Sequence, residues 1–226
     1  MKTLRILAIT AAAAFSVSAA PQGAQNWATT TTVTPAGNHV LGNPAASARL
    51  VEFVSYTCSH CANFDEQADA PIRANYVAPG KLSVEVRNFL RNPVDLTAAL
   101  LTTCGAPSKF FGNHAAFMRS QNEWISRLSN ASAQQRQRWS TGEFAERTRA
   151  IATDLGFYDI MKTRGYDRAA ADRCLADEPE AQRLAAGTDA AMKQGVKGTP
   201  SFMLNDTLLD GTHDWRALEP QIRSRI

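Results

Sequence analysis

The sequence predicts an α/β fold in two halves, βαβ and ββα, with a helical insertion between them. Three observations carry that prediction. The short apolar, β-branched and aromatic run Arg49 to Tyr56 reads as a buried strand and leads directly into a helical pattern at Cys58. Leu82 to Phe89 alternates apolar and polar residues, as a half-buried strand does. After the stretch 93–194, which has helix signals and no strand signals, two short apolar runs flank Asn205-Asp206 as a hairpin, and one last helix follows.

Taken in chain order, Lys2 and Arg5, the apolar run Ile6 to Phe15 and the small-residue finish Val17-Ser18-Ala19 predict a signal peptide over 1–19, cleaved after Ala19, with an uncleaved anchor as the lesser alternative. Residues 20–47, rich in Ala, Thr, Gly and Pro, are expected to form a flexible, exposed leader with one short strand near Thr31-Val33. No later apolar run approaches the roughly 20 residues that span a bilayer, so stable membrane insertion is not expected. Periplasmic localisation is.

The first half covers 48–92. Behind the strand at Arg49–Tyr56, residues Cys61, Phe64, Ala68, Ile72 and Tyr76 recur at three- and four-residue steps, as an amphipathic helix requires, and Pro71 should kink or interrupt that helix. Pro79-Gly80 turns the chain into the second strand. In the insertion, helices are expected at Leu96–Cys104, Phe110–Met118, Phe144–Leu155, Tyr166–Leu175 and Ala181–Met192. The second half covers 195–226: a helix C-cap at Gly195, Gly198-Thr199-Pro200, strands at Ser201–Leu204 and Thr207–Leu209, and a helix from Asp214 to Ile222.

Composition narrows the function. The 24 Lys and Arg residues are scattered among 21 Asp and Glu residues without a basic block, which gives no reason to expect a nucleic-acid partner. With 226 residues, 44% of them hydrophobic, the chain can bury a core without staples. Its four cysteines, at 58, 61, 104 and 174, would after export meet an oxidising compartment.

Cys58-Ser59-His60-Cys61 carries the chemistry. Two cysteines three apart on the first turn of a helix are close enough to form a small disulfide ring, and one can resolve a mixed disulfide made by the other. At the helix N-terminus Cys58 meets unpaired N–H groups and the positive end of the helix dipole, both of which stabilise a thiolate. A protonated His60 adds to this. Cys58 is therefore the reacting sulfur and Cys61 the resolving one. Half of a zinc site is the rival, but Cys104 and Cys174 are distant in sequence from the pair and from each other. A purely structural bridge is another, but so short a loop makes a poor staple.

Val51-Glu52-Phe53-Val54-Ser55-Tyr56-Thr57-Cys58-Ser59-His60-Cys61 resembles the active-site strand and helix start of DsbA-type periplasmic thiol oxidoreductases, members of the thioredoxin-like superfamily. Gly195-Val196-Lys197-Gly198-Thr199-Pro200-Ser201-Phe202 resembles their cis-proline loop. In element order the resemblance spans the mature chain and implies a thioredoxin-like fold with a helical insertion. It implies a cis Thr199-Pro200 bond opposite the cysteines, with the Thr199 backbone binding an extended substrate peptide. It also implies that Glu52 is a buried proton acceptor for Cys61, although by its own pattern Glu52 reads equally well as an exposed strand residue. The expected activity is disulfide formation in reduced, unfolded exported proteins, with reoxidation by a DsbB-like membrane partner and no cofactor beyond the redox-active Cys58–Cys61 disulfide. Ser59 departs from the family's common Pro-His dipeptide. That leaves open an isomerase or reductase kept reduced by a DsbD-like donor. Outside this chemistry stand a periplasmic copper- or zinc-binding protein using Cys58, Cys61 and His60, and a peptide-binding chaperone.

A bridge between Cys104 and Cys174 would close a loop of about 70 residues, worth about 4 kcal/mol in the chain-entropy model, which favours a structural disulfide over two buried thiols. His114, among Phe110, Phe111, Phe117 and Met118, reads as core-facing, and His39 and His213 as loop residues. Phe110, Phe111, Phe117 and Trp124 are expected to pack the insertion's own core.

Overall fold

The computed structural model describes residues 25–226; the expected signal peptide at 1–19 lies outside the described residues. The first half is built from β1 (Thr31–Val33), β2 (His39–Gly42), β3 (Ala48–Val54), α1 (Ser59–Ile72) and β4 (Leu82–Asn88). The insertion supplies α2 (Pro93–Thr102), α3 (Phe110–Arg119), α4 (Gln121–Ser129), α5 (Ala133–Arg138), α6 (Phe144–Leu155), α7 (Phe157–Thr163) and α8 (Arg168–Leu175). Then come α9 (Glu178–Lys193), β5 (Ser201–Leu204), β6 (Thr207–Leu208) and α10 (Trp215–Arg223).

Among the described residues the six strands form one sheet in the order β1-β2-β4-β3-β5-β6. β3 runs parallel to β4 and antiparallel to β5. Alternation along β3 sends Leu50 and Val54 into the main core, together with Phe64 and Ile72 of α1, and Val51 and Phe53 into a smaller cluster with Ala191 and Val196. Both faces are covered, which explains why β3 reads as a nearly continuous apolar run. Glu52 shares its face with Leu50 and Val54 and is therefore on the buried α1 side.

The short strand expected near Thr31-Val33 is β1, but the stretch around it is not a flexible leader: β1 pairs with β2, and β2 pairs with β4 from His39↔Val86 to Gly42↔Ser83. Little in its own pattern specifies β2, because its order comes from the long-range edge that β4 offers. Gly42 makes the approach possible, with φ 109° and the position of a Cβ only 2.9 Å from the Leu82 carbonyl oxygen. At the end of the insertion, α9 packs both on the sheet through Ala191 and on α2.

The helix after Cys58 behaves as Pro71 predicts: α1 ends at Ile72 and the chain continues as a π-helical turn over Arg73–Val77. The β5–β6 turn takes Asn205 and Asp206 through positive φ, the geometry of a two-residue hairpin. In the insertion, Trp124 and Phe117 pack edge-on against Phe157 at 5.3 and 5.0 Å. Phe110 and Phe111 turn toward the sheet domain instead. Phe110 stacks on His39 at 4.1 Å, and Phe111 lines a cavity beside Glu52.

Candidate active site

The strand register sets the site. Phe53 pairs with Ser201, so residues 199–200 lie beside the end of β3, where the chain leaves through Ser55-Tyr56-Thr57 for Cys58. The Thr199–Pro200 bond is cis. Cys58 is the N-cap residue of α1, in extended conformation, and its thiol donates to the Thr199 carbonyl at 3.1 Å. Cys58 and Cys61 are both free thiols and both buried, Cys61 completely.

Within this pair the environment treats the two sulfurs oppositely. The Cys58 thiol is lowered to about 4, first by a hydrogen bond from Cys61, then by the Thr199 side chain and the Cys61 and His60 backbone N–H groups, against an opposing push from burial. Thr199 acts in both protonation states. Its carbonyl accepts from the thiol, which holds the proton, whereas its buried hydroxyl, without another partner among the described residues, is free to donate to the thiolate. Cys61 is pushed up by burial, by its hydrogen bond to Cys58 and by the negative charges of Cys58 and Glu52. A thiolate therefore forms at Cys58 while Cys61 keeps its proton.

The other expected residues fall in different places. Ser59 and His60 are exposed, and it is the backbone N–H of His60 that reaches the Cys58 sulfur. Glu52 is 7% exposed, its carboxyl raised well above the ordinary range by burial and by Asp65 and Asp69. Cys104 and Cys174 are joined in a disulfide, Cα atoms 5.7 Å apart, at the insertion and away from the site. Among the described residues no group of three or more His, Cys, Asp or Glu side chains is arranged to hold a metal ion.

Three residues that sequence reasoning missed hold the loops in place. Asp95, on the first turn of α2, accepts from Ser55 Oγ at 3.0 Å, from the Thr57 N–H at 2.8 Å and from the Arg91 N–H at 2.9 Å, which fixes the approach to Cys58. Buried Gln121 donates from Nε2 to the carbonyls of Tyr56 and Cys58 at 2.6 and 2.9 Å. His213 Nδ1–H donates to the Pro200 carbonyl at 2.8 Å. Asn92-Pro93-Val94-Asp95 is legible as a helix start, since Asn92 caps α2 through the N–H groups of Val94 and Asp95. The partners of Asp95 across the fold are not.

A sheet of this order, a cysteine pair at the start of the first long helix and a cis-proline beside it define a thioredoxin-like protein with a DsbA-type helical insertion. A family model described as thioredoxin matches residues 34–224, and the chain belongs to that family. Its structure is similar to the crystal structure of a protein-disulfide isomerase from Novosphingobium aromaticivorans, at 57% identity and a TM-score of 0.80, over 83% of this chain and 96% of that one. It shares its fold with Wolbachia pipientis alpha-DsbA1, at 19% identity and a TM-score of 0.67, over 85% of this chain and 92% of that one. A Rickettsia typhi protein named "Putative protein-disulfide oxidoreductase" is 27% identical over 168 residues, 74% of this chain. The chain spans about half the length, 54%, of that curated relative.

Proposed function

We propose that the chain is a protein thiol–disulfide oxidoreductase that introduces disulfide bonds into exported proteins by exchange at Cys58 and Cys61. The opposite treatment of the two sulfurs carries this reading. A stabilised Cys58 thiolate favours the dithiol form, which makes the Cys58–Cys61 disulfide an oxidant.

In the cycle, a substrate thiolate attacks Cys58 Sγ, the Cys58–Cys61 bond breaks, and Cys61 leaves as a thiolate that takes a proton from Glu52. The substrate's second thiolate then attacks its own sulfur in the mixed disulfide. Cys58 departs as a thiolate, a good leaving group because of its low pKa, and the substrate keeps the new disulfide. The backbone at Thr199 and Pro200 lies beside Cys58, where an extended substrate segment would pair. A DsbB-like membrane partner in the periplasm would reoxidise the dithiol, with no bound cofactor in the chain itself. Among the described residues no helix is long and apolar enough to cross a membrane.

Isomerisation on the same site is the second reading, favoured by the Novosphingobium relative, which is named a protein-disulfide isomerase, and by Ser59 between the cysteines. Redox equilibrium with glutathione separates the two. The oxidase reading expects a potential well above the thioredoxin value of about −270 mV, and a value at or below it sinks that reading. In parallel, a Cys61→Ala variant should accumulate mixed disulfides through Cys58 and so reveal the substrates.

A further inference from the structure

The face of the sheet opposite α1 carries a cleft of about 630 Å³, within the usual range of small-molecule sites. Alternation puts Arg49 and Phe53 of β3 on this face, away from Glu52, and Glu85 and Arg87 of β4 on it, away from Val84 and Val86. The turn between β1 and β2 and one side of α9 complete the walls. Cys58, Cys61, Glu52, Thr199 and Pro200 do not border this cleft, so it is separate from the exchange site.

Glu85 is 1% exposed, and its carboxylate accepts from Arg87 Nε at 2.7 Å, Asn38 Nδ2 at 3.0 Å and Arg49 Nη1 at 3.2 Å. A buried carboxylate used so fully anchors two guanidinium groups and has little left for a ligand. The three arginines of the cleft differ in what they still offer. Arg183 donates from Nε and Nη2 to Glu180 at 2.7 and 2.6 Å and from Nη1 to the Ala36 carbonyl at 2.9 Å. Arg49 pairs through Nη2 with Asp206, which is 78% exposed, so water screens that acid and positive charge stays in surplus around the cleft. Arg87 is the free one. Its Nη1 reaches Gln194 Oε1 only at 3.5 Å, and its Nη2 has no partner among the described residues. Held at Nε by Glu85 and standing over the Phe53 ring at 5.7 Å, it presents a fixed Nη edge to a ligand.

The wall contributed by α9 is apolar and short-chained, with Ala186, Gly187, Ala190 and Ala191. Gly187 sits in mid-helix without positive φ, and a Cβ there would meet nothing within 4 Å. Glycine at such a place costs backbone entropy with neither a turn nor a close approach to require it, and its effect is to keep the cleft wide. The Arg183–Ala36 hydrogen bond ties α9 to the β1–β2 turn at one end of the cleft, and the Arg87–Gln194 contact ties it to β4 at the other. Ends closed in this way suit a short molecule and not a chain running through. An inorganic anion would use Arg87 alone, whereas the apolar wall adds affinity only for a ligand with a hydrocarbon body. We propose that this cleft binds a small organic carboxylate, whose oxygens accept from the Nη groups of Arg87 and whose apolar body lies along the Gly187 face of α9.

Amide NMR of the isotope-labelled chain titrated with hydrocinnamate tests this, because the shifts report where the ligand lies. The expected result is saturable shifts at Gly187 and Ala190. Acetate, which lacks the apolar body, and hydrocinnamide, which lacks the charge, should each bind at least about tenfold more weakly. Arg87→Gln should weaken binding by about tenfold or more. Gly187→Leu, which fills the cleft from an open helix position and leaves every ion pair in place, should abolish it. Should Arg87→Gln disturb the fold by freeing Glu85, the Gly187→Leu comparison decides alone. No saturable shift at Gly187 or Ala190, equal binding of the amide, or full binding by Gly187→Leu overturns the proposal. So does binding of N-acetyl-alanyl-phenylalanine about tenfold or more tighter than that of hydrocinnamate, since the occupant would then be the C-terminus of a peptide. Turnover at Cys58 and Cys61 plays no part in these readings.

Discussion

Cys58 and Cys61 sit three residues apart at the start of α1, whereas Cys104, just past α2, and Cys174, in α8, close a loop 70 residues long. The first pair meets helix N–H groups, the cis-proline loop and a buried acid. The second ties two helices of the insertion together, with Asn113 Nδ2 and Tyr166 OH donating to the Cys104 carbonyl at 3.4 and 2.6 Å. Reactivity therefore follows surroundings and not the element. A short ring at a helix N-terminus stabilises a thiolate and constrains the unfolded chain little, while a long loop among packed helices does the reverse. The division of labour is open to test by removing each pair separately.

The largest effect is expected at Cys58. Cys58→Ala should abolish oxidation of a reduced model substrate, by about a thousandfold or more, because burial holds Cys61, the other sulfur at the site, in its protonated form. Paired replacement of Cys104 and Cys174 by Ala should leave that turnover within about twofold of wild type. Loss of turnover in the paired variant while it remains folded would mean that the second pair takes part in electron transfer, and the contrast would break.

The paired variant should show its effect in stability. Without the bridge, the native state should lose about 4 kcal/mol in the chain-entropy model, and the thermal midpoint should fall by roughly 10 °C. Denaturant unfolding of the two proteins, each with Cys58 and Cys61 reduced, measures the difference. No change in midpoint would show that packing around Trp124 and Phe157 already holds the insertion. The contrast between the pairs would then be one of reactivity alone.

The active pair was legible in the sequence because its signal is local: a strand pattern, two cysteines and a helix pattern in consecutive residues. The loop at Thr199 and Pro200 was legible only through its resemblance to the family's cis-proline loop. What escaped reading depends on chain segments meeting from far apart. Asp95 and Gln121 position Cys58 from 37 and 63 residues away, across contacts that no spacing encodes. β2 was read as leader because its order comes from β4. Glu52 was undecided between core and surface until β3 proved to be covered on both faces, which also explains why a strand with an acid at its centre lacks the clean alternation of an exposed sheet.

The smallest of the three effects is read per unit of pH and concerns only the first pair. In the reduced protein Cys58 has a folded value near 4 against an unfolded value near 9.0. Between those values the unfolded chain binds the extra proton, so the contribution of Cys58 to stability rises with pH through this window, is complete above the unfolded value and is lost as pH falls through 4. Cys61 is shifted the other way, so it acts only above its unfolded value, where rising pH ionises the unfolded thiol and weakens the fold. Below about pH 8, Cys58 therefore dominates the difference between reduced and oxidised protein, because the oxidised form has no thiol at either position. The stability of the reduced form should gain on that of the oxidised form by at most about 1.4 kcal/mol per pH unit between pH 5 and 8, and a Cys104–Cys174 bridge present in both forms cancels. Urea unfolding of both redox forms across that range measures it. A difference that does not change with pH would mean that Cys58 is not a thiolate in the reduced protein, and it would remove the physical basis for calling its disulfide an oxidant.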